Sequence, residues 1–153
     1  MVSLKELAQE FDLIMDGADF WFDRETEKVV FVDTENYHFN DDEEEDENQK
    51  PEYFLINKNL EKLIKNNPDR FVQLPSKYEF HDWHIMADFV DEQTTGDRNE
   101  LLWDAIHGKG AFRMFRNLVE RWDLQDDWYA FKAAAYREKA REWCHHNDIE
   151  YSE

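Results

Sequence analysis

A chain of 153 residues with 37 Asp/Glu against 18 Lys/Arg carries a formal charge of −19, which repels nucleic-acid phosphate and anionic membranes at long range. Twelve Phe, six Trp and six Tyr supply the bulky material of a real core, so residues 1–153 are expected to fold as one domain despite the charge. A single cysteine, Cys144, excludes an internal disulfide, and with no signal peptide or long apolar span the expectation is a cytoplasmic protein with no membrane partner.

Ser3 is placed to N-cap a first helix, with Glu6 completing a capping box and Leu4, Leu7, Phe11 and Ile14 forming the apolar stripe. That helix is expected to end near Asp16-Gly17. Two β-prone runs, residues 18–23 and 29–33, flank the polar Arg24-Glu25-Thr26-Glu27-Lys28, which suits an antiparallel hairpin with Phe20 and Phe22 on one face. Seven consecutive acids then fill residues 41–47. Such a block repels itself and buries nothing, so residues 40–50 read as a flexible acidic loop, either solvated or a docking strip for a basic partner. It lacks the alternating ligands and the glycine of a calcium loop.

Leu60, Leu63 and Ile64 predict a helix over residues 57–66, closed by Asn67-Pro68, and residues 70–75 read as a brief strand pairing with the hairpin. Phe80, Trp83, Ala87 and Val90 mark the next helix, with Met86 and Phe89 widening its apolar face and His81, His84 and Asp88 on its polar side. A zinc site needs fixed imidazoles and a further ligand, so no metal ligand is assigned there. Asp97 is expected to cap a helix over residues 98–107, with Leu101, Leu102, Ala105 and Ile106 inward. The longest helix opens at Trp128 and reaches about His146, burying Tyr129, Ala133, Tyr136, Ala140 and Trp143. Beside Trp143, Cys144 reads as a buried inert thiol. The sum is an α+β fold: a short antiparallel β-hairpin or three-stranded sheet with a mainly helical C-terminal half.

The stretch with the most chemical character is Gly108-Lys109-Gly110-Ala111-Phe112-Arg113-Met114-Phe115-Arg116. Two glycines around one lysine permit positive φ or close approach, and the helical period resumes after Gly110, so a helix begins near Ala111. Phe112, Phe115, Val119 and Trp122 make its core stripe. Arg113, Arg116 and Asn117 lie off that stripe, and Lys109 sits at the amino end, where unpaired N–H groups and the helix dipole favour an anion. Gly108, Lys109, Gly110, Arg113 and Arg116 are therefore a candidate anion site. Plainer readings stand beside it: the cations bridge to the chain's own carboxylates, and Gly108 C-caps the preceding helix. The two helices around the turn also have helix-turn-helix dimensions, with Arg113, Arg116, Asn117 and Arg121 suited to phosphates and base edges. Charge is uneven along the chain: residues 101–153 hold eight Lys/Arg and ten Asp/Glu, net −2, and residues 1–100 carry the other −17.

Leu101-Leu102, Gly108 to Arg113, Phe115-Arg116, Trp128-Tyr129, Phe131 and Trp143 together resemble the carboxy-terminal signature of a family of uncharacterised small bacterial proteins. The likeness covers residues 85–150 and loosens before them, and residues 40–69 look longer than that family's usual connection. It implies a family label and no reaction, so no catalytic residue is carried over.

No catalytic or cofactor pattern is complete. Gly108-Lys109-Gly110 lacks the four-residue spacer and the Ser/Thr after lysine of a phosphate loop, and no serine occupies a nucleophile elbow. The reading that follows is a non-enzymatic acidic interaction or regulatory domain without a cofactor. Its partner would be another protein, met through exposed aromatics such as Trp21, Tyr37 and Trp103. Anion, nucleotide or nucleic-acid binding at the glycine turn is the alternative, with the net charge weighing against nucleic acid.

Overall fold

The computed structural model describes residues 1–34 and 52–153; the acid block 41–47 and Tyr37 lie outside the described residues. Ser3 closes a short strand, β1 (Val2–Ser3), and caps α1 (Leu4–Asp12), its hydroxyl oxygen accepting the Glu6 amide at 3.4 Å. Leu4, Leu7, Ala8 and Phe11 are buried. The helix stops at Asp12 rather than near Asp16, leaving residues 13–16 to turn the chain through Gly17, at φ 89°, into the sheet.

β2 (Ala18–Asp23) and β3 (Lys28–Asp33) form the expected antiparallel hairpin, with Phe20 opposite Phe31 and Phe22 opposite Val29. β4 (Phe71–Gln73) pairs antiparallel on the other side of β2, so the sheet order is β3-β2-β4. The period of two divides the faces. Phe20 and Phe22 join a core with α1, while Val32 and Phe71 join a smaller one with Ile64 and Leu60 of α2 (Glu52–Asn66). α2 begins before the expected Asn57, and Phe54 in the added part is buried. Asn57 grips the β3 edge, its amide donating to the Asp33 carbonyl at 3.0 Å and its oxygen accepting the Asp33 N–H at 2.9 Å.

A 3-10 turn (Lys77–Phe80) leads into four helices: α3 (Asp82–Gln93), α4 (Gly96–Ile106), α5 (Ala111–Arg121) and α6 (Gln125–His146). The α3–α4 corner is tied by Asn99, whose amide donates to the Val90 carbonyl at 2.9 Å, and by buried Thr94, whose hydroxyl donates to the same carbonyl. Asp97 does not cap α4. Thr95 holds the N-cap position, because the chain is already helical at Gly96, and Asp97 sits inside the first turn, where its charge still suits the dipole. Leu102 and Ile106 are buried as expected, but Leu101 is exposed, one position off the face that meets α3 and α5.

α6 serves two cores. Trp128 and Phe131 pack against Phe89, Leu102, Phe115 and their neighbours, and Tyr136, Ala140 and Cys144 pack against α1 and the sheet. Tyr129 and Ala133 are exposed, contrary to expectation. α1 ends at Asp12, which pairs with Lys132 at 3.0 Å, so the stripe at Tyr129 runs past the helix that would have covered it. Beyond α6, β5 (Tyr151–Ser152) pairs parallel with β1, Val2 opposite Tyr151.

Candidate functional site

The glycine turn is held from below by aromatic rings. The Trp83 indole on α3 donates to the Ile106 carbonyl at the end of α4 at 2.8 Å, supplying one of the partners that helix ends lack. The His107 ring lies between Trp83 and Trp103, with centroids 5.2 and 4.6 Å away, and its Nδ1 is 2.7 Å from the Trp103 carbonyl. Gly108 follows, its amide donating to the Ala105 carbonyl at 3.3 Å. It is not in the left-handed conformation, so it is not the C-cap glycine that the sequence suggested. The left-handed residue is Gly110 instead: at φ 65° and ψ 39° it stands at the N-cap of α5, its carbonyl accepting the Met114 amide at 2.9 Å. No side chain caps the first turn of α5, and no acid lies in it. The Arg113 guanidinium folds back over Gly110, where a Cβ would stand 3.7 Å from it.

Two sides of α5 differ sharply in character. Phe115 and Val119 are buried, Phe115 edge-on to Phe89 at 5.9 Å and to Trp128 at 4.8 Å. Trp122 is half-buried, with the Arg98 guanidinium 5.3 Å over its ring. Phe112, expected in this stripe, is 54% exposed. It lies in the first turn, and side chains lean toward a helix's amino end, so its ring projects beyond the packed part of the helix. Met114, 42% exposed, forms the opposite shoulder. Between them, facing outward, come Arg113, Arg116 and Asn117, with Glu120 among them and Arg121 at the margin, all exposed.

Among the described residues, Lys109, Arg113, Arg116 and Arg121 make no ion pair within 4.0 Å. Side-chain cations that do pair include Arg70, Lys77, Lys132 and Arg141, all elsewhere. The reading in which α5 and its turn bridge internally to carboxylates therefore finds no pair among the described residues. The structure brings Gly110, Arg113 and the open first turn of α5 together, and carries Arg116, Asn117 and Arg121 along the same helix.

The model of an uncharacterised protein family, UPF0158, matches residues 1–153. The chain belongs to that family. A relative is UPF0158 protein PA5073 of Pseudomonas aeruginosa, 26% identical over 150 residues, which are 97% of this chain and 84% of the relative. No solved structure matches the chain. The UPF0158 match takes in the sheet and the amino-terminal helix as well as the glycine turn, and the family's description names no reaction, substrate or partner.

His81, His84 and Asp88 are exposed, with the two imidazoles 5.6 Å apart, and among the described residues no three His, Cys, Asp or Glu side chains are arranged to hold a metal ion. Among the described residues no helix is long and apolar enough to cross a membrane. Cys144 is fully buried, and burial pushes its thiol up to about 11. The sequence reading overlooked Asp23. This buried carboxylate accepts two parallel bonds from Arg70 at 2.8 and 2.9 Å, the Glu25 amide at 3.0 Å and the Thr26 hydroxyl at 3.0 Å. The bidentate bond from Arg70 holds its carboxyl down to about 2, and the pair pins the hairpin turn to β4. An aspartate ending a strand with Thr three positions on was a turn signal available in the sequence; the distant arginine was not.

Proposed function

We propose that the chain is a cytoplasmic, non-enzymatic interaction domain whose α5 face docks a short acidic, apolar segment of another protein. The observation that supports this reading is the set of unpartnered cations on α5 and its turn. In a chain with twice as many acids as bases, Arg113, Arg116, Arg121 and Lys109 have no carboxylate partner among the described residues, while Phe112 and Met114 stand exposed on either side. Cations serve the recognition of carboxylates and exposed apolar side chains supply the buried centre of an interface, so one face offers both requirements.

Length of the partner decides between protein and nucleic acid. Screening reduces charge interactions beyond about 8 Å at physiological salt, so a short segment feels the local arginines. A long duplex would also meet the acidic remainder of the surface and Glu120 within the basic face itself. Panning a displayed peptide library on the protein tests the reading. Enriched sequences are expected to combine Asp/Glu with Leu or Phe, and to be lost on Arg113→Ala/Arg116→Ala and weakened on Phe112→Ala/Met114→Ala. Enrichment indifferent to these substitutions would refute it, and tight duplex DNA binding at physiological salt would favour the helix-turn-helix alternative.

A further inference from the structure

A second cationic feature lies away from α5, along the seam of α1 and α6. The two helices run antiparallel: β1 before α1 pairs with β5 after α6, and Asp12 at the end of α1 pairs with Lys132 early in α6. Their solvent side holds a groove of about 230 Å³ lined by Lys5, Ala8, Gln9 and Asp12 from α1 and by Tyr129, Lys132, Ala133, Tyr136 and Arg137 from α6. Small side chains at Ala8 and Ala133 give it depth. Three cations and one carboxylate line it, in a chain with a net charge of −19.

Those charges have different engagements. Lys132 is occupied, bonded to Asp12 at 3.0 Å with its ammonium 5.4 Å from the Tyr136 ring centroid. Tyr136 is fixed in turn, its phenol donating to Asp82 at 2.5 Å, and Asp82 also pairs with Lys77 at 3.4 Å. The groove therefore has a braced floor. Lys5 and Arg137, by contrast, are exposed and make no ion pair with any described residue. The antiparallel packing puts them toward the same end of the groove. Tyr129, 61% exposed, stands two turns away at the other end, about 12 Å along the helix from Arg137.

We infer that this groove binds a small elongated anion of nucleotide type, its phosphate between Lys5 and Arg137 and its planar ring against Tyr129. A ring face stacks on a tyrosine without depending on which base it is, and the two unpartnered cations take the phosphate as charge-assisted donors. Lys132 lies between the two ends, and Asp12 competes with the ligand for it. Removing the Asp12 charge therefore strengthens binding. The site is separate from the α5 face, and neither depends on the other.

Calorimetric titration of the protein with the four ribonucleoside 5′-monophosphates, at low salt, tests this. All four are expected to bind saturably, with adenosine alone and inorganic phosphate alone each weaker by about tenfold or more, since each lacks one half of the contact. Lys5→Ala/Arg137→Ala, at exposed positions, is expected to weaken AMP binding by about tenfold or more, and Tyr129→Ala by several-fold, with circular dichroism unchanged. Asp12→Asn is expected to tighten it. Arg113→Ala/Arg116→Ala is expected to leave it unaltered, which separates this site from the α5 proposal. Absence of saturable binding of any mononucleotide at about 1 mM, or binding indifferent to Lys5, Arg137 and Tyr129, would overturn the inference. So would weaker binding by the folded Asp12→Asn protein.

Discussion

Replacing Gly110 with alanine separates its role from that of Gly108, two residues earlier. Gly110 sits at φ 65°, where an L side chain costs about 1–2 kcal/mol, although the space for its Cβ is open down to ordinary contact with Arg113 at 3.7 Å. At Gly108 a Cβ would meet the Asp104 and Ala105 carbonyl oxygens at 3.7 and 3.8 Å, again ordinary contact, and the backbone is not left-handed. Alanine there restricts the unfolded chain without straining the folded one, a gain of about 0.4–1 kcal/mol. That unfolded-chain gain is common to both alanine variants, so they should differ by the strain alone, about 1–2 kcal/mol, or roughly 2–8 °C in midpoint for a chain of this length. Gly110→Asn should fall between wild type and Gly110→Ala, since asparagine tolerates this conformation. Thermal unfolding followed by circular dichroism measures all three. Equal midpoints for Gly108→Ala and Gly110→Ala would refute the assignment of the left-handed turn to Gly110.

Asp23 titrates at about 2 when folded against an ordinary 3.8, so its pairing with Arg70 stabilises the fold fully above the ordinary value and is lost as pH falls from about 4 toward 2. Asp23→Asn should cost about 1–2 kcal/mol near neutral pH, after discount for the water around Arg70, and progressively less in acid; a gap between the two urea midpoints that stays constant down to about pH 2.5 would contradict this. Tyr136→Phe removes the phenol that Asp82 accepts and should cost about 1–2 kcal/mol by urea unfolding. In wild type, burial and Asp82 push the Tyr136 phenol far above the usual tyrosine range, so an ultraviolet titration should show one tyrosine that ionises only when the chain unfolds. Cys144 should ignore an aromatic disulfide reagent in the native protein and react at once in denaturing urea; rapid native reaction would contradict its burial.

Sequence period and cap chemistry were sufficient wherever one neighbour decided an element. Ser3 with its leucine stripe specified where α1 starts and which face it buries, and alternation with a polar centre specified the β2–β3 hairpin. The failures arose where the neighbour's extent mattered. Phe112 and Tyr129 satisfy the apolar period of their helices, yet one projects from a first turn and the other runs past the end of α1. Periodicity reports which face a residue takes and not how far the opposing element reaches. Pairings across long separations were equally invisible: β1 with β5 involves two residues on each strand, too few to leave a pattern, and Arg70 lies 47 positions from Asp23. In the candidate site the basic residues of α5 were legible as types off a stripe, whereas their lack of internal partners depends on where every carboxylate falls. The α1–α6 groove needed the packing of two helices that are more than a hundred residues apart.

The double service of α6 has a consequence for the order in which the chain can assemble. The cluster of Met86, Phe89, Leu102, Phe115 and Val119, with Trp128 and Phe131, draws on one continuous stretch, so its loops are short and close at little entropic expense. The cluster around Leu4, Phe11 and Phe22 is completed by Tyr136, Ala140 and Cys144, from the far end of the same helix. During vectorial synthesis the amino-terminal segment leaves the ribosome first, yet its apolar stripe is covered only in part, by Phe20, Phe22 and Phe80, until the last helix arrives. α6, nucleated at its amino end by the neighbouring helical cluster, then presents its second half as the surface on which that waiting segment condenses.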